Sequence, residues 1–107
     1  MPVEEYIPKG SLKSGVFPTI ENGIFTVPSN TNAVIEKFFV RNASKSTITI
    51  SATRAGVRHE IILLPGYSLD FLNEGEVLRM SAGEFINASC SESGAAQFYI
   101  EGYYETV

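Results

Sequence analysis

Hydrophobic and polar positions alternate along most of the chain beyond residue 23, and turn signals interrupt this alternation at short intervals. Residues 47–53 alternate most strictly, because Ile48, Ile50 and Ala52 share one face and only threonine and serine occupy the other. Such alternation is typical of a strand that is buried on one face. The same pattern predicts eight strands, over residues 23–27, 33–42, 47–53, 57–64, 68–72, 76–80, 84–90 and 96–106.

The spacing of these strands predicts the fold class. No window of about eleven or more residues has the hydrophobic period of an amphipathic helix, so the domain is predicted to be all-β. Strands that begin about 8–12 residues apart are typical of sandwiches and barrels. Eight strands in a chain of 107 residues therefore predict a single-domain antiparallel β-sandwich over residues 21–107, in the form of an eight-stranded jelly roll.

The longest β-branched and aromatic run, residues 34–40, is predicted to be the central strand of a sheet. Pro28 cannot donate a ladder hydrogen bond, so we expect it at the end of the preceding strand, before an asparagine-rich turn that tolerates left-handed backbone. Glu36 interrupts the alternation of the central strand. Either a β-bulge redirects Glu36, or both faces of this strand are partly covered.

Residues 1–20 show neither a strand period nor a helical one, because prolines and glycines interrupt every candidate element. The segment is nevertheless rich in apolar side chains, which is unusual for a freely solvated tail. We expect an extended N-terminal arm that lies along the domain or along a neighbouring subunit. The alternative is a frayed terminus, which is common in small domains.

Charge and hydropathy exclude several classes of partner. The chain has a net charge of −4 and its eight lysines and arginines are scattered, so it lacks the basic cluster that nucleic acid requires. The longest continuous apolar run, residues 61–64, is far shorter than a membrane span. The apolar stretch of a secretory signal does not follow Met1. We therefore expect a soluble protein made in the cytoplasm, with neither nucleic acid nor a membrane as its partner.

Few residues are candidates for catalysis or metal binding. His59 is the only histidine, so a Ser-His-Asp triad would need it, with Asp70 or a glutamate to orient the ring. Cys90 would be a nucleophile only beside His59, and its place in an alternating strand predicts a small buried apolar side chain instead. One histidine and one cysteine cannot form a zinc site, although glutamate oxygens could bind a hard cation. We expect no enzyme activity, no metal and no cofactor.

The final predicted strand is apolar on both faces. Phe98, Ile100 and Tyr104 share one face. Tyr99 and Tyr103 share the other, which we expect to be covered by the N-terminal arm, by another subunit or by a ligand. Aromatic surfaces favour the arm or a subunit. The residues predicted to lie in a subunit or partner interface are Tyr6, Ile7, Leu12, Phe17, Phe39, Tyr99 and Tyr103.

Three motifs follow one another along the chain. Residues 26–42 read T-V-P-S-N-T-N-A-V-I-E-K-F-F-V-R-N, residues 65–69 read P-G-Y-S-L, and residues 80–88 read M-S-A-G-E-F-I-N-A. In this order and spacing, over about residues 24–104, the chain resembles small β-sandwich proteins and domains of tailed-bacteriophage virions. The third motif departs from the family pattern, because Met80 stands where leucine is usual. The N-terminal arm lies outside the resemblance.

The resemblance implies a structural role in the virion. Such proteins act as capsid decoration or cement, or as neck, tail or fibre components, and the resemblance brings no catalytic residues with it. It implies a homo-oligomer, a dimer or a trimer, that binds the major capsid protein or another virion protein. Exchange of the N-terminal arm between neighbours suits such a symmetric assembly.

Two alternatives remain at this point. The first is a carbohydrate- or receptor-binding jelly roll in a neck, tail or fibre protein, which would need exposed aromatic side chains beside Asn, Asp or Glu in one groove. The second is an enzyme that uses His59, which the scarcity of candidate residues makes the weakest of the three hypotheses.

Overall fold

The computed structural model of the chain describes residues 10–54 and 56–106. In this part of the chain nine β-strands occur and no helix. The strands are β1 (Gly10–Val16), β2 (Asn22–Thr26), β3 (Thr31–Asn42), β4 (Ile48–Arg54), β5 (Val57–Leu63), β6 (Ser68–Asp70), β7 (Leu78–Met80), β8 (Phe85–Cys90) and β9 (Ala96–Thr106).

The strands form two antiparallel sheets. Sheet A has the order β1-β9-β3-β6, and β7 also pairs with β3, at a different position from β6. Sheet B has the order β2-β8-β4-β5. The buried side chains of both sheets belong to one hydrophobic cluster, which gives the molecule a sandwich-like form. The prediction of an all-β fold with antiparallel strands is confirmed.

Strand β1 lies within residues 1–20, where the sequence analysis found no strand period and expected an extended arm. β1 pairs with β9 along its length, although the register shifts at Leu12. This shift and the two glycines of the strand hide its alternation. Gly15 has a packing reason, since a Cβ atom there would lie only 3.3 Å from the ring of Phe98. Strands β2 to β9 each overlap one of the eight predicted strands.

Aromatic rings from separate parts of the chain meet in the core. Phe17, which follows β1, has its ring centroid 5.6 Å from that of Phe98 and 6.4 Å from that of Phe38. The ring of Phe38 is in turn 4.8 Å from that of Phe71. These separations lie in the favourable range for tilted aromatic pairs, roughly 4.5–7 Å. Phe17 is only 1% exposed, so it belongs to the core.

The turn between β2 and β3 has the backbone that its sequence predicts. Asn30 has a φ angle of 62°, in the left-handed region that asparagine tolerates. The hydroxyl of Thr31 donates a hydrogen bond to the carbonyl oxygen of Pro28 at 2.8 Å and closes the turn. Pro28 lies just beyond β2, so its missing N–H removes no ladder hydrogen bond.

Candidate functional site

The outer face of sheet A carries an aromatic pair at its centre. β3 pairs with β9 on one side and with β6 and β7 on the other, which confirms its predicted central position. In this register Phe39 lies directly opposite Tyr99. Directly opposed residues on one face of a sheet have Cβ atoms roughly 4.5–5.5 Å apart, so Phe39 and Tyr99 form one aromatic patch. Phe39 is 40% exposed and Tyr99 is half-buried, so a partner has access to the pair.

A β-bulge at Glu36 turns Phe39 outward. Ile35 pairs with Gly102, whereas Lys37 pairs with the residue before Gly102, which leaves Glu36 as an extra residue in β3. Strict alternation would place Ile35 and Phe39 on the same face. The extra residue reverses the alternation between them, so that Ile35 is buried and Phe39 faces solvent. The bulge that was one of two predicted explanations for Glu36 is confirmed.

Polar side chains flank the aromatic pair. Lys37 lies opposite Glu101, and its Nζ is 5.7 Å from the centroid of the Phe39 ring, within the range of a cation–π contact. On the other side of the pair, Arg41 lies opposite Gln97. Together these side chains form the aromatic face, which consists of Lys37, Phe39, Arg41, Gln97, Tyr99 and Glu101.

The outer face of sheet A is covered at its other end. Val34 lies on this face opposite Tyr103, yet it is only 1% exposed. Arg79 of β7 and Glu105 of β9 lie on opposite sides of β3, and their side chains form an ion pair at 3.4 Å that crosses the strand. Both partners are exposed, so the pair contributes at most about 1 kcal/mol. Tyr103 therefore borders the covered part of the face, whereas Tyr99 lies in the open part.

Two of the predicted interface residues, Phe17 and Leu12, pack against the core of their own chain. Phe17 is buried among core rings, so its side chain offers no surface to a second subunit and its assignment to an interface is corrected. Leu12 is half-buried and packs against the core. Apolar residues without a period predicted an arm along the domain or along a neighbouring subunit. With β1 paired to β9, Leu12 and Phe17 pack against this chain's own core. Tyr6 and Ile7 lie outside the described residues.

The residues considered for catalysis do not meet. His59 on β5 and Cys90 on β8 are separated by β4 and by two positions along the strands, or about 12 Å at ordinary sheet spacing. Cys90 is 2% exposed, as its alternating position predicted. Asp70 lies in sheet A, where its carboxylate accepts hydrogen bonds from two backbone N–H groups, each at 3.0 Å. The fold therefore does not assemble these three residues into a catalytic group.

A cavity of about 440 Å³ lies where the β4–β5 hairpin, β7 and the start of β8 approach each other. Its lining includes Phe85, which is 53% exposed, together with Thr53, Arg79, Glu84 and Asn87. Few polar groups beside an aromatic ring are typical of a small-ligand site. The sequence analysis assigned no role to Phe85. The signal was present, since Phe85 and Asn87 share one face of their strand.

Further findings concern metal binding, membrane-spanning helices and known relatives. Within residues 10–54 and 56–106, no group of three or more His, Cys, Asp or Glu side chains could hold a metal ion. The described residues include no helix that is long and apolar enough to cross a membrane. The sequence matches no protein-family model, and no curated protein shows significant similarity to it. Functional inference therefore depends on the fold, the aromatic face and the cavity.

Proposed function

We propose that this protein is a structural component of a tailed-phage virion, most simply a capsid decoration or cement protein that works as a homo-oligomer. The observation that carries the proposal is the open Phe39–Tyr99 pair at the centre of sheet A. An aromatic centre surrounded by polar and charged side chains has the composition of a protein–protein interface. The sequence motifs that resemble virion β-sandwich proteins point to the same role.

Strand order supports a jelly roll as the detailed fold. β6 and β7 pair with the same side of β3, opposite residues 39–41 and 33–35 respectively, so they act as two halves of one interrupted strand. Counted in this way, the described residues provide eight strands. The orders β1-β9-β3-β6 and β2-β8-β4-β5 then give two four-stranded sheets whose consecutive strands mostly alternate between sheets, as in a double Greek key.

The proposed mechanism is mechanical reinforcement of an assembled shell. The aromatic face would lose water against the major capsid protein or another virion protein. Each Å² of apolar surface that is buried stabilises the contact by about 25 cal/mol, offset by the entropy cost of association. A protein repeated over a symmetric particle adds this modest contribution at every site. The chain would be made in the host cytoplasm and would reside on the virion.

Co-sedimentation with assembled shells tests the proposal. The probe is empty capsids assembled from the major capsid protein of the same phage genome, and the readout is the fraction of chain that pellets with them. The double variant Phe39→Ser/Tyr99→Ser is expected to lose binding by at least about tenfold, because each side chain is replaced by a small polar one at the interface centre. The matched control is Ile20→Ser, since Ile20 is 80% exposed and lies outside the aromatic face.

Three results bear on this test. Wild-type chain that pellets with shells, with the double variant lost and the control retained, supports the proposal. Wild-type chain that remains in the supernatant at tens of micromolar overturns it. Equal binding of the double variant and the control would remove the aromatic face from the mechanism.

The cavity at Phe85 favours a second function, carbohydrate or receptor binding by a neck, tail or fibre protein. It combines the exposed aromatic ring with Asn87 and Glu84, which is the combination that this alternative requires. A glycan array probed with the chain tests it. Binding that Phe85→Ala abolishes and Tyr67→Ala leaves unchanged would support this function, because Tyr67 is an exposed aromatic outside the cavity. An array without a signal would count against it.

A further inference from the structure

Strand β5 forms one edge of sheet B. Among the described residues it pairs only with β4. Large apolar side chains are exposed along it and just beyond it, with Val57 55%, Ile62 71% and Leu64 48% exposed. Natural sheets usually protect such edges, because their free backbone groups readily pair with another chain. β5 is therefore a candidate surface for sheet extension.

The β4–β5 hairpin determines which backbone groups of β5 face outward. Arg54 pairs with Val57, so two residues connect the strands. The pair that closes a two-residue hairpin exchanges both backbone hydrogen bonds, and such pairs then alternate along the ladder. Every second residue from Val57 thus bonds to β4. The residues between them, Arg58, Glu60 and Ile62, direct their N–H and C=O groups to the open edge.

We propose that two copies of this chain pair antiparallel through β5, with the two-fold axis at His59, so that their B sheets become one continuous sheet. In this register the outward N–H and C=O groups of Arg58 in each copy hydrogen-bond to those of Glu60 in the other copy. Both side chains also lie on the outer face, because they flank His59, which is opposite the core residue Ala52. Each guanidinium therefore faces a carboxylate of the other copy.

Charge complementarity selects this register over its neighbours. An axis at Glu60 would place two glutamates directly opposite each other, which is destabilising. An axis at Ile61 would place Glu60 opposite Ile62 and leave Arg58 without a carboxylate. Within one chain, Arg58 lies 3.4 Å from Glu21 and 3.6 Å from Glu60. These exposed pairs are weak, so they compete little with a pair formed beside a new backbone ladder.

This inference deepens the proposed function, because it names the surface that would make the homo-oligomer and leaves the aromatic face for a virion partner. The pairing itself is measured on the chain alone. A chain that is monomeric yet binds capsids would overturn the β5 pairing and leave the proposed capsid-binding role intact. A dimer that does not bind capsids would do the opposite.

Charge reversal tests the register. Native mass spectrometry of the wild-type chain is expected to show a dimer, at twice the 11.7 kDa of one chain. Arg58→Glu and Glu60→Arg each place like charges opposite each other, so each is expected to raise the dimer dissociation constant by about tenfold or more. The double variant Arg58→Glu/Glu60→Arg restores both pairs and is expected to dimerise like wild type. An equimolar mixture of the two single variants is expected to form the heterodimer.

A disulfide gives a second readout that does not depend on charge. His59 faces itself across the two-fold axis, in a non-hydrogen-bonded pair whose Cβ atoms lie about 4.5–5.5 Å apart. His59→Cys is therefore expected to cross-link two chains under mild oxidation far faster than the control Ile20→Cys, whose side chain is exposed but lies outside β5. The native Cys90 is buried and does not interfere.

The proposal is overturned by a wild-type chain that remains monomeric at about 100 μM, by single charge variants that dimerise as well as wild type, or by equal cross-linking of the two cysteine variants. Circular dichroism of every variant checks that the fold is retained. Heterodimer formation by the mixture, with neither single variant dimeric alone, is the result that other interfaces would not produce.

Discussion

The side-chain amide of Asn42, at the end of β3, donates a hydrogen bond at 3.0 Å to the carbonyl oxygen of Leu63, at the end of β5. Because β3 belongs to sheet A and β5 to sheet B, this bond joins the two sheets. The same amide donates to the carbonyl oxygen of Ser46 at 2.7 Å, and its Oδ1 accepts from both the N–H and the hydroxyl of Ser44. Asn42 is fully buried and its side-chain polar groups are satisfied.

Asn42→Ala is expected to lower the free energy of unfolding by about 2–4 kcal/mol, because it removes the hydrogen bonds to the carbonyl oxygens of Leu63 and Ser46 and opens a small cavity. Urea denaturation measures the change. Ser44→Ala is the matched control. It removes the hydroxyl that donates to Oδ1 of Asn42 and accepts from the N–H of Ser46, and because this loop is largely exposed it is expected to cost about 1 kcal/mol. If the two variants were equally stable, the junction would depend on the loop backbone rather than on the asparagine.

Gly102 permits the bulge in β3 and should not tolerate a side chain. A Cβ atom at this position would overlap the carbonyl oxygen of Val34 and lie 3.0 Å from the Cα of Ile35. Both are backbone atoms, so no side-chain rotation relieves the contact. Gly102→Ala is expected to destabilise the fold by about 1–3 kcal/mol, as overpacking does. The readout is the thermal unfolding midpoint together with urea denaturation.

A second strand glycine provides the control for this substitution. At Gly23 in β2 the nearest atom to an added Cβ is Oδ1 of Asn87 at 3.7 Å, an ordinary contact. Gly23→Ala is therefore expected to change stability by no more than about 0.5 kcal/mol. A Gly102→Ala variant as stable as Gly23→Ala would mean that β3 and β9 separate locally without cost.

Alternation in the sequence was sufficient to predict the eight strands that carry their own pattern, and a break in it located the bulge at Glu36. Strand β1 was not predicted because its extended conformation depends on pairing with β9, a partner about ninety residues away. Its glycines and its register shift also obscure the side-chain period. Phe17 was misassigned for the same reason. An apolar residue in an apparently irregular segment looks like an interface residue until a strand directs it to the core.

The aromatic pair was predictable in part. Phe39 and Tyr99 were predicted to lie in an interface, but their direct opposition depends on the register of β3 with β9, which a sequence does not display. The same limit applies to Arg58 and Glu60. Their complementarity across a two-fold axis becomes visible only when β5 is known to be an edge strand.

Burial raises the pKa of Tyr104 above its ordinary value of 10.0, and the ring stacks on that of Phe25 with centroids 6.5 Å apart. The folded chain thus holds the phenolic proton more tightly than the unfolded chain does. The resulting stabilisation is complete below about pH 10 and is lost as the pH rises through the folded pKa. We expect the free energy of unfolding to fall above about pH 10, and to fall less steeply in Tyr104→Phe.

Urea denaturation at several pH values between about 9 and 11 measures this dependence. Tyr67→Phe is the control, since Tyr67 is 61% exposed, and it is expected to keep the wild-type pH dependence. If Tyr104→Phe and wild type lost stability in parallel, the alkaline loss would have to come from another group.

Substitutions at Phe17 and Phe39 distinguish a core role from an interface role. The sequence analysis assigned both residues to the interface, but Phe17 lies in the core and Phe39 lies on the outer face of sheet A. Phe17 is 1% exposed and its ring contacts two core phenylalanines, so Phe17→Ala is expected to cost about 3–5 kcal/mol. Phe39 is 40% exposed, so Phe39→Ala is expected to cost no more than about 1 kcal/mol in the single chain. Urea denaturation at low protein concentration measures both values.

The two substitutions are expected to affect capsid binding in the opposite order to their effects on stability. Phe39→Ala is expected to weaken capsid binding at temperatures where the variant is fully folded, because the ring lies at the centre of the aromatic face. Phe17→Ala, assayed under conditions where it remains folded, is expected to bind as wild type does, since its side chain reaches no partner. A Phe39→Ala variant that is strongly destabilised yet binds normally would show that the ring works within the sheet, and the aromatic face would lose its assigned role.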